Sequence, residues 1–165
     1  MFELKSISTE AIPDALAKAE RYRFLNESVQ AESICQDILR VDPNHQRALI
    51  ILILALSDQL NETLAVHQAQ RLLPRLEGEY ERHYYGGIIA ERAGRAYMNQ
   101  QRPGSAFKAF ECFRAAMDCF ENAERIRPAD NDDAILRWNT CARVLNTHPE
   151  LRARPEESYE PILGE

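Results

Sequence analysis

The sequence predicts an all-α protein that is built as a stack of antiparallel helix hairpins. Apolar residues recur at three- and four-residue intervals along almost the whole chain, which is the spacing of one face of a helix. The alternation of apolar and polar residues that is typical of strands is nearly absent. Proline, glycine, asparagine and aspartate interrupt the helical pattern, so we expect about seven helices joined by tight turns.

The composition is that of an ordinary globular domain. The chain has 165 residues, of which 45% are hydrophobic and 28% are charged. The 20 basic and 26 acidic residues give a formal net charge of -6, which argues against a surface that binds nucleic acid or anionic lipid as a whole. The longest apolar run, residues 48–56, is too short to span a membrane, and no export signal is visible. We therefore expect a cytoplasmic protein with no membrane partner.

The cysteines and histidines predict neither a metal site nor a catalytic site. The four cysteines are scattered without a Cys-x-x-Cys pair, and the four histidines do not fall at ligand spacing. The chain also contains no glycine-rich phosphate loop, no Gly-x-Ser-x-Gly and no His-Glu-x-x-His. We expect free buried thiols, no metal, no cofactor and no enzymatic activity.

Turn and capping residues define the first three helices. Pro13 suits the first turn of a helix, where its missing N–H costs little. Asp42-Pro43 disfavours continuation of the second helix, and Asn44 can cap the third. We expect these helices over about residues 9–26, 29–41 and 45–59, with the second helix following Ser28.

The remaining helices are separated in the same way. Asn61 can cap the fourth helix, and Pro74 should bend it or end it. Arg102-Pro103-Gly104 breaks the chain between the fifth and sixth helices, and the sixth ends before Pro128. We expect these four helices over about residues 62–77, 79–101, 105–127 and 131–147.

Residue sizes in the first hairpin follow a known repeat. Ala19, Tyr22, Ala31 and Pro43 place small, large and helix-ending residues at the spacing of a 34-residue helix–turn–helix unit. The hairpin thereby resembles the tetratricopeptide repeat, although Ile38 stands where that family prefers alanine. Gly87 in the third hairpin matches the close-contact position of the family's first helix.

The resemblance implies a division of the chain. It covers a helical domain of residues 9–147, preceded by a short lead and followed by an acidic tail that we expect to be solvated and mobile. The units are a lead at 1–8, repeats at 12–45, 46–79 and 80–130, a capping helix at 131–147 and a tail at 148–165.

The third repeat is longer than the family's unit and is locally basic. Gly87 and Ala116 are 29 residues apart, where the family spacing between these positions is about 12. Because the extra residues keep the helical pattern, we expect an elongated hairpin that protrudes and turns at residues 102–104. No acidic residue lies between 92 and 110, a segment that contains Arg92, Arg95, Arg102 and Lys108. These four residues predict a basic arm.

The resemblance also implies a binding surface. In this family the first helix of each repeat lines a concave groove, and the matching positions here predict partner contacts at Leu16, Glu20, Arg23, Arg47, Ile50, Leu54, Tyr84, Ile88 and Glu91. The apolar members would form an exposed patch unless something covers them. Three occupants remain open: a partner peptide, a second copy of the chain, or the tail around Tyr159–Leu163.

We therefore predict a non-catalytic protein–protein interaction module. It would bind a peptide or helix segment in an apolar concave groove, as a scaffold or a chaperone-like adaptor. A first alternative is an electrostatic adaptor whose basic 92–110 hairpin contacts an acidic protein or nucleic acid, although the net charge disfavours nucleic acid. A second alternative is a helical-bundle enzyme without a recognisable motif.

Overall fold

The computed structural model describes residues 2–59, 63–100 and 102–155, and it contains seven α-helices and no strand in these ranges. The side chains of residues 63 and 64 are also outside the description. The helices are α1 Ile12–Phe24, α2 Ser28–Val41, α3 Gln46–Asp58, α4 Thr63–Leu72, α5 Glu79–Gln100, α6 Ser105–Arg125 and α7 Asp133–Thr147. The predicted all-α class is confirmed.

Each helix packs against the next one in the chain, which gives the hairpins α1–α2, α3–α4 and α5–α6, with α7 on α6. Successive hairpins stack through α1 on α3 and through α3 on α5. Helices α1, α3 and α5 therefore form one layer of the molecule. This arrangement confirms the predicted stack of helix hairpins, and none of the described helices is long and apolar enough to cross a membrane.

The core has two parts along the stack. The first lies among α1 to α4 and includes the fully buried Ile38, Leu49 and Ile53. The second lies among α5 to α7 and includes Phe113 and Phe120. Helix α3 contacts α1, α2, α4 and α5, which explains why seven of the nine residues in the apolar run 48–56 are buried.

Local interactions at the start of α3 differ from the prediction. His45, and not Asn44, is the N-cap, because its Nδ1 accepts a hydrogen bond of 3.3 Å from the backbone N–H of Ala48. The backbone N–H of Asn44 instead donates to Asp42, and its carbonyl accepts from Gln46. The predicted cap of α4, Asn61, lies outside the described residues.

The third hairpin is elongated, as predicted. Helices α5 and α6 have 22 and 21 residues, whereas α1, α2 and α3 have 13 or 14. The turn between them ends at Gly104, whose φ of 81° lies in the left-handed region that favours glycine. The two helices approach closely where Gly87 faces the ring of Phe120 and Gly94 faces the ring of Phe113.

The first residues of the predicted tail pack onto the helices, which corrects the expectation that the whole segment is solvated. Leu151 is only 6% exposed and belongs to the second core. The guanidinium of Arg154 lies 5.9 Å above the ring of Phe107, in the first turn of α6. Residues 148–155 thus cover the end of the long hairpin. Tyr159–Leu163, the part predicted to reach the groove, lies outside the described residues.

The close contact predicted at Ala31 gives a stability prediction. Ala31 is fully buried in α2, so Ala31→Leu should overpack the first hairpin and lower the free energy of unfolding by about 1–3 kcal/mol. Chemical denaturation monitored by helical circular dichroism measures this loss. The exposed Ser33→Leu on the same helix is the control and should stay within about 0.5 kcal/mol. Equal effects of the two substitutions would contradict the predicted repeat register.

Candidate functional site: an arginine cluster on the odd-numbered helices

The structure divides the nine predicted groove residues between an accessible surface and the core. Six of them, on α1, α3 and α5, are half-buried or exposed: Glu20, Arg23, Arg47, Ile50, Leu54 and Tyr84. The other three are buried: Leu16, Ile88 and Glu91.

Leu16 and Ile88 correct the prediction of a continuous apolar groove. Leu16 belongs to the first core and Ile88 to the second, because α1, α3 and α5 pack directly on one another and cover these side chains. A carboxylate placed at Ile88 would enter the core, so its effect would report unfolding and not loss of a binding contact.

Asp58 connects the first three odd-numbered helices through two arginines. Its Oδ2 pairs with Arg23 Nε of α1 at 2.9 Å, and its Oδ1 pairs with Arg92 Nη1 of α5 at 2.6 Å. Arg92 Nη1 also donates to the backbone carbonyl of Leu54, at 3.0 Å, and to the hydroxyl of Ser57. The end of α3 is thus held between α1 and α5 by charged hydrogen bonds.

Glu91 connects α5 and α7 in a similar way. Its side chain is only 2% exposed, and burial of an unpaired carboxylate would be costly. Two guanidinium groups compensate it: Oε1 pairs with Arg95 at 3.1 Å, and Oε2 pairs with Arg137 at 3.2 Å. Both arginines remain partly open to solvent, with side chains 47% and 38% exposed.

These two networks form one site, here called the arginine cluster: Arg23, Arg92, Arg95, Arg137, Asp58 and Glu91. Burial lowers the pKa of Arg92, and the nearby charges of Arg23 and Arg137 lower it further, while Asp58 opposes both effects. Four guanidinium groups share two carboxylates, so the cluster has two more positive charges than negative charges. The surplus lies on a protein whose net charge is -6.

The pKa of Arg137 is shifted in the opposite direction to that of Arg92. Burial lowers the pKa of this arginine as well, but the charge of Glu91 and the hydroxyl of Tyr84 outweigh the burial and raise it. Both arginines stay cationic at neutral pH. Of the two, Arg92 has the less favourable surroundings for its charge.

Apolar and aromatic side chains accompany the cluster on the same helices. Leu54 and Tyr84 are half-buried, and both pack against the second core. The ring of Tyr84 stacks on Tyr80 at 5.6 Å and meets Tyr85 edge-on at 5.2 Å. Arg47 pairs with Glu20 at 2.5 Å, so these two residues add no net charge.

The predicted basic arm is divided by the structure. Arg92 is ion-paired with Asp58 of α3, and Arg95 is ion-paired with Glu91, which directly precedes the acid-free segment. Arg102 and Lys108 are exposed near the hairpin turn, where the ammonium of Lys108 lies 5.5 Å from the ring centroid of Tyr97. The four cations therefore do not form one continuous surface.

The sequence analysis missed three residues of the cluster's network, namely Asp58, Ser57 and Arg137. A signal for Asp58 exists in the sequence, because the spacings from Arg23 to Asp58 and from Asp58 to Arg92 are 35 and 34 residues, one repeat period each. Arg137 pairs with Glu91 across 46 residues, and no spacing rule indicates this contact.

The thiol beside the cluster is not activated. Burial raises the pKa of the Cys141 thiol to about 12, and the charge of Glu91 contributes in the same direction. Cys141 is therefore a neutral thiol at neutral pH and not a thiolate nucleophile. The part of the chain that the structure describes contains no group of three or more histidines, cysteines or acids able to hold a metal ion.

Comparison with profiles of protein families, with curated proteins and with solved structures gives no match to this chain. The resemblance to the tetratricopeptide repeat therefore stays a prediction from residue size and spacing.

Proposed function

We propose that this chain is a non-catalytic, tetratricopeptide-like interaction module that binds an acidic segment of a partner protein along its odd-numbered helices. The observation that carries the proposal is the charge imbalance of the arginine cluster, in which four guanidinium groups share two carboxylates. A binding surface of this charge favours anionic ligands.

The guanidinium N–H groups that are not used in ion pairs within the arginine cluster indicate the chemistry of the ligand. Arg23 and Arg137 each use one nitrogen in the ion pairs described above, and their side chains are 18% and 38% exposed. Further N–H groups of each fork can therefore reach a ligand, those of Arg137 beside the hydroxyl of Tyr84. Carboxylates match this geometry because they accept two parallel hydrogen bonds from one guanidinium. A glutamate or aspartate of a partner segment would supply the missing negative charge.

Leu54 and Tyr84 support a peptide ligand over a small anion. Half-buried aliphatic and aromatic side chains next to arginines are the usual anchors of protein–protein interfaces. The proposed ligand is thus a segment in which acidic residues alternate with apolar ones. This modifies the groove predicted from the sequence, which had an apolar floor and charged rim residues, since two of the floor residues lie in the core.

Binding to a short fluorescein-labelled peptide of alternating glutamate and leucine tests the proposal. The informative variant is Arg23→Gln with Arg137→Gln, which removes the surplus charge but leaves Arg92 with Asp58 and Arg95 with Glu91. We expect the dissociation constant measured by fluorescence anisotropy to rise about tenfold or more. The salt dependence of binding should also decrease.

The control is Arg21→Gln with Arg143→Gln, which removes the same net charge from exposed positions on the same two helices. This variant should change the dissociation constant by less than about twofold. Equal weakening in both variants, or equal binding of a single-stranded oligonucleotide, would contradict a site for acidic peptides. Failure of the unmodified chain to bind the acidic peptide better than its glutamine counterpart would also contradict it.

A further inference from the structure

The two most exposed guanidinium groups of the arginine cluster are held beside each other by one buried carboxylate. Glu91 pairs through Oε1 with Arg95 and through Oε2 with Arg137. Arg95 lies one turn further along α5, whereas Arg137 comes from α7. Because both pair with the same carboxylate, the two guanidinium groups lie close together although they come from different helices. We call Arg95 and Arg137 the arginine pair.

The arginine pair keeps hydrogen-bond donors for a ligand. Arg95 reaches Glu91 through Nε and Nη2, and Arg137 reaches it through Nη1, so Nη1 of Arg95 and Nη2 of Arg137 take no part in these pairs. The two side chains are 47% and 38% exposed, whereas the side chain of Glu91 is only 2% exposed. A ligand that approaches from the solvent therefore meets two cations, with the carboxylate buried behind them.

A phosphate monoester matches the charge of this site better than a carboxylate does. The arginine cluster has two more positive than negative charges, and one carboxylate neutralises only half of this surplus. A phosphorylated side chain carries about two negative charges at neutral pH and has three acceptor oxygens. One phosphate group can thus neutralise the whole surplus and accept hydrogen bonds from both guanidinium groups at once.

We infer that the arginine pair is the subsite for a phosphate monoester, such as phosphoserine, in the acidic segment of the partner protein. The inference rests on the proposed function, since the phosphate belongs to the same segment whose apolar residues contact Leu54 and Tyr84. The hydroxyl of Tyr84 lies beside Arg137, so the phosphate subsite adjoins these apolar contacts. The partner is therefore bound more tightly in its phosphorylated form than in its unmodified form.

Fluorescence anisotropy with three labelled peptides and the full chain tests the inference at mildly alkaline pH. The first is the glutamate–leucine peptide described above, and the second carries phosphoserine in place of its central glutamate. The third keeps the central glutamate and has one more glutamate at its end, so that its total charge matches that of the phosphopeptide. We expect the phosphopeptide to bind about tenfold more tightly than this charge-matched peptide.

Substitutions of Arg95 test whether the arginine pair causes this preference. Arg95→Gln leaves Glu91 paired with Arg137, and it should lower the preference to less than about threefold. Arg95→Lys keeps the charge but has no forked donor, and it should have the same effect. The control is Arg143→Gln at an exposed position of α7, which should keep the preference of the unmodified chain. Because the preference is a ratio measured on one protein, a general change in affinity cancels.

Equal binding of the phosphopeptide and the charge-matched peptide would overturn the inference, and it would leave the proposed function intact if the glutamate–leucine peptide still binds. An undiminished preference in Arg95→Gln or Arg95→Lys, with helical circular dichroism unchanged, would overturn it as well. So would displacement of the phosphopeptide by an equal concentration of inorganic phosphate, because the site would then belong to the free anion. Failure of all three peptides to bind would overturn both the inference and the proposed function.

Discussion

Replacing Gly87 by alanine is expected to lower the free energy of unfolding by about 3 kcal/mol, at the upper end of the usual cost of overpacking. A Cβ atom at this position would lie 2.5–2.8 Å from three ring atoms of Phe120. Phe120 is fully buried, so its ring cannot move aside into solvent. The gain in helix propensity from glycine to alanine, about 1 kcal/mol, does not offset this clash.

The neighbouring glycine provides the control for this prediction. A Cβ at Gly86 would meet its nearest atom, Leu73 Cδ1, at 3.6 Å, which is ordinary contact. Gly86→Ala should therefore be neutral or stabilising by up to about 1 kcal/mol. Adding Phe120→Leu to Gly87→Ala should recover part of the loss, since the smaller side chain leaves room for the methyl group. Denaturant unfolding that gives equal values for the two glycine variants would contradict the close packing of α5 on α6.

Replacing Glu91 by glutamine is expected to destabilise the protein by about 3 kcal/mol, at the low end of the cost of breaking a buried ion pair. The carboxylate is 2% exposed and compensates two guanidinium groups. Arg95 and Arg137 are partly solvent-accessible and can turn towards water, so the full cost of two unpaired buried charges is not reached. The exposed Glu124→Gln is the control and should change stability by less than about 0.5 kcal/mol.

Glu91→Gln is expected to affect the stability of the protein and its affinity for the acidic peptide in different ways. Glu91→Gln raises the surplus of the arginine cluster from two to three positive charges, because four cations then share only Asp58. At a temperature where the variant is folded, it should bind the glutamate–leucine peptide at least as tightly as the unmodified chain. Weaker binding by a folded variant would show that the peptide does not contact these arginines.

Both predictions concern contacts between helices that belong to different parts of the sequence. Gly87 lies on α5 and faces Phe120 on α6, and Glu91 of α5 forms an ion pair with Arg137 of α7. Stability and charge at the proposed binding face therefore depend on the packing of α5 against α6 and on the ion pair between α5 and α7. A change at one of these contacts should be tested for folding before any loss of binding is interpreted.

Local sequence signals were sufficient for most helix boundaries. Helix α2 ends at the predicted residue 41, because Asp42-Pro43 ends it irrespective of the rest of the chain, and it begins at Ser28, one residue before the prediction. The long third hairpin was also predictable, since the extra residues keep the helical spacing up to Arg102-Pro103-Gly104. The cap of α3 was not, because Asn44 and His45 are both polar and only the backbone path decides which side chain reaches Ala48.

Helical spacing and turn residues were enough to predict the all-α class and the hairpin order, and the resemblance to the tetratricopeptide repeat indicated the close contact at Gly87. These features follow from residue size and from interactions within a few residues along the chain. The sequence did not indicate that Leu16 and Ile88 are core residues or that Arg92 and Arg95 are ion-paired. Helical periodicity fixes which residues share a face, whereas the exposure and the charge of that face depend on helices contributed by distant segments.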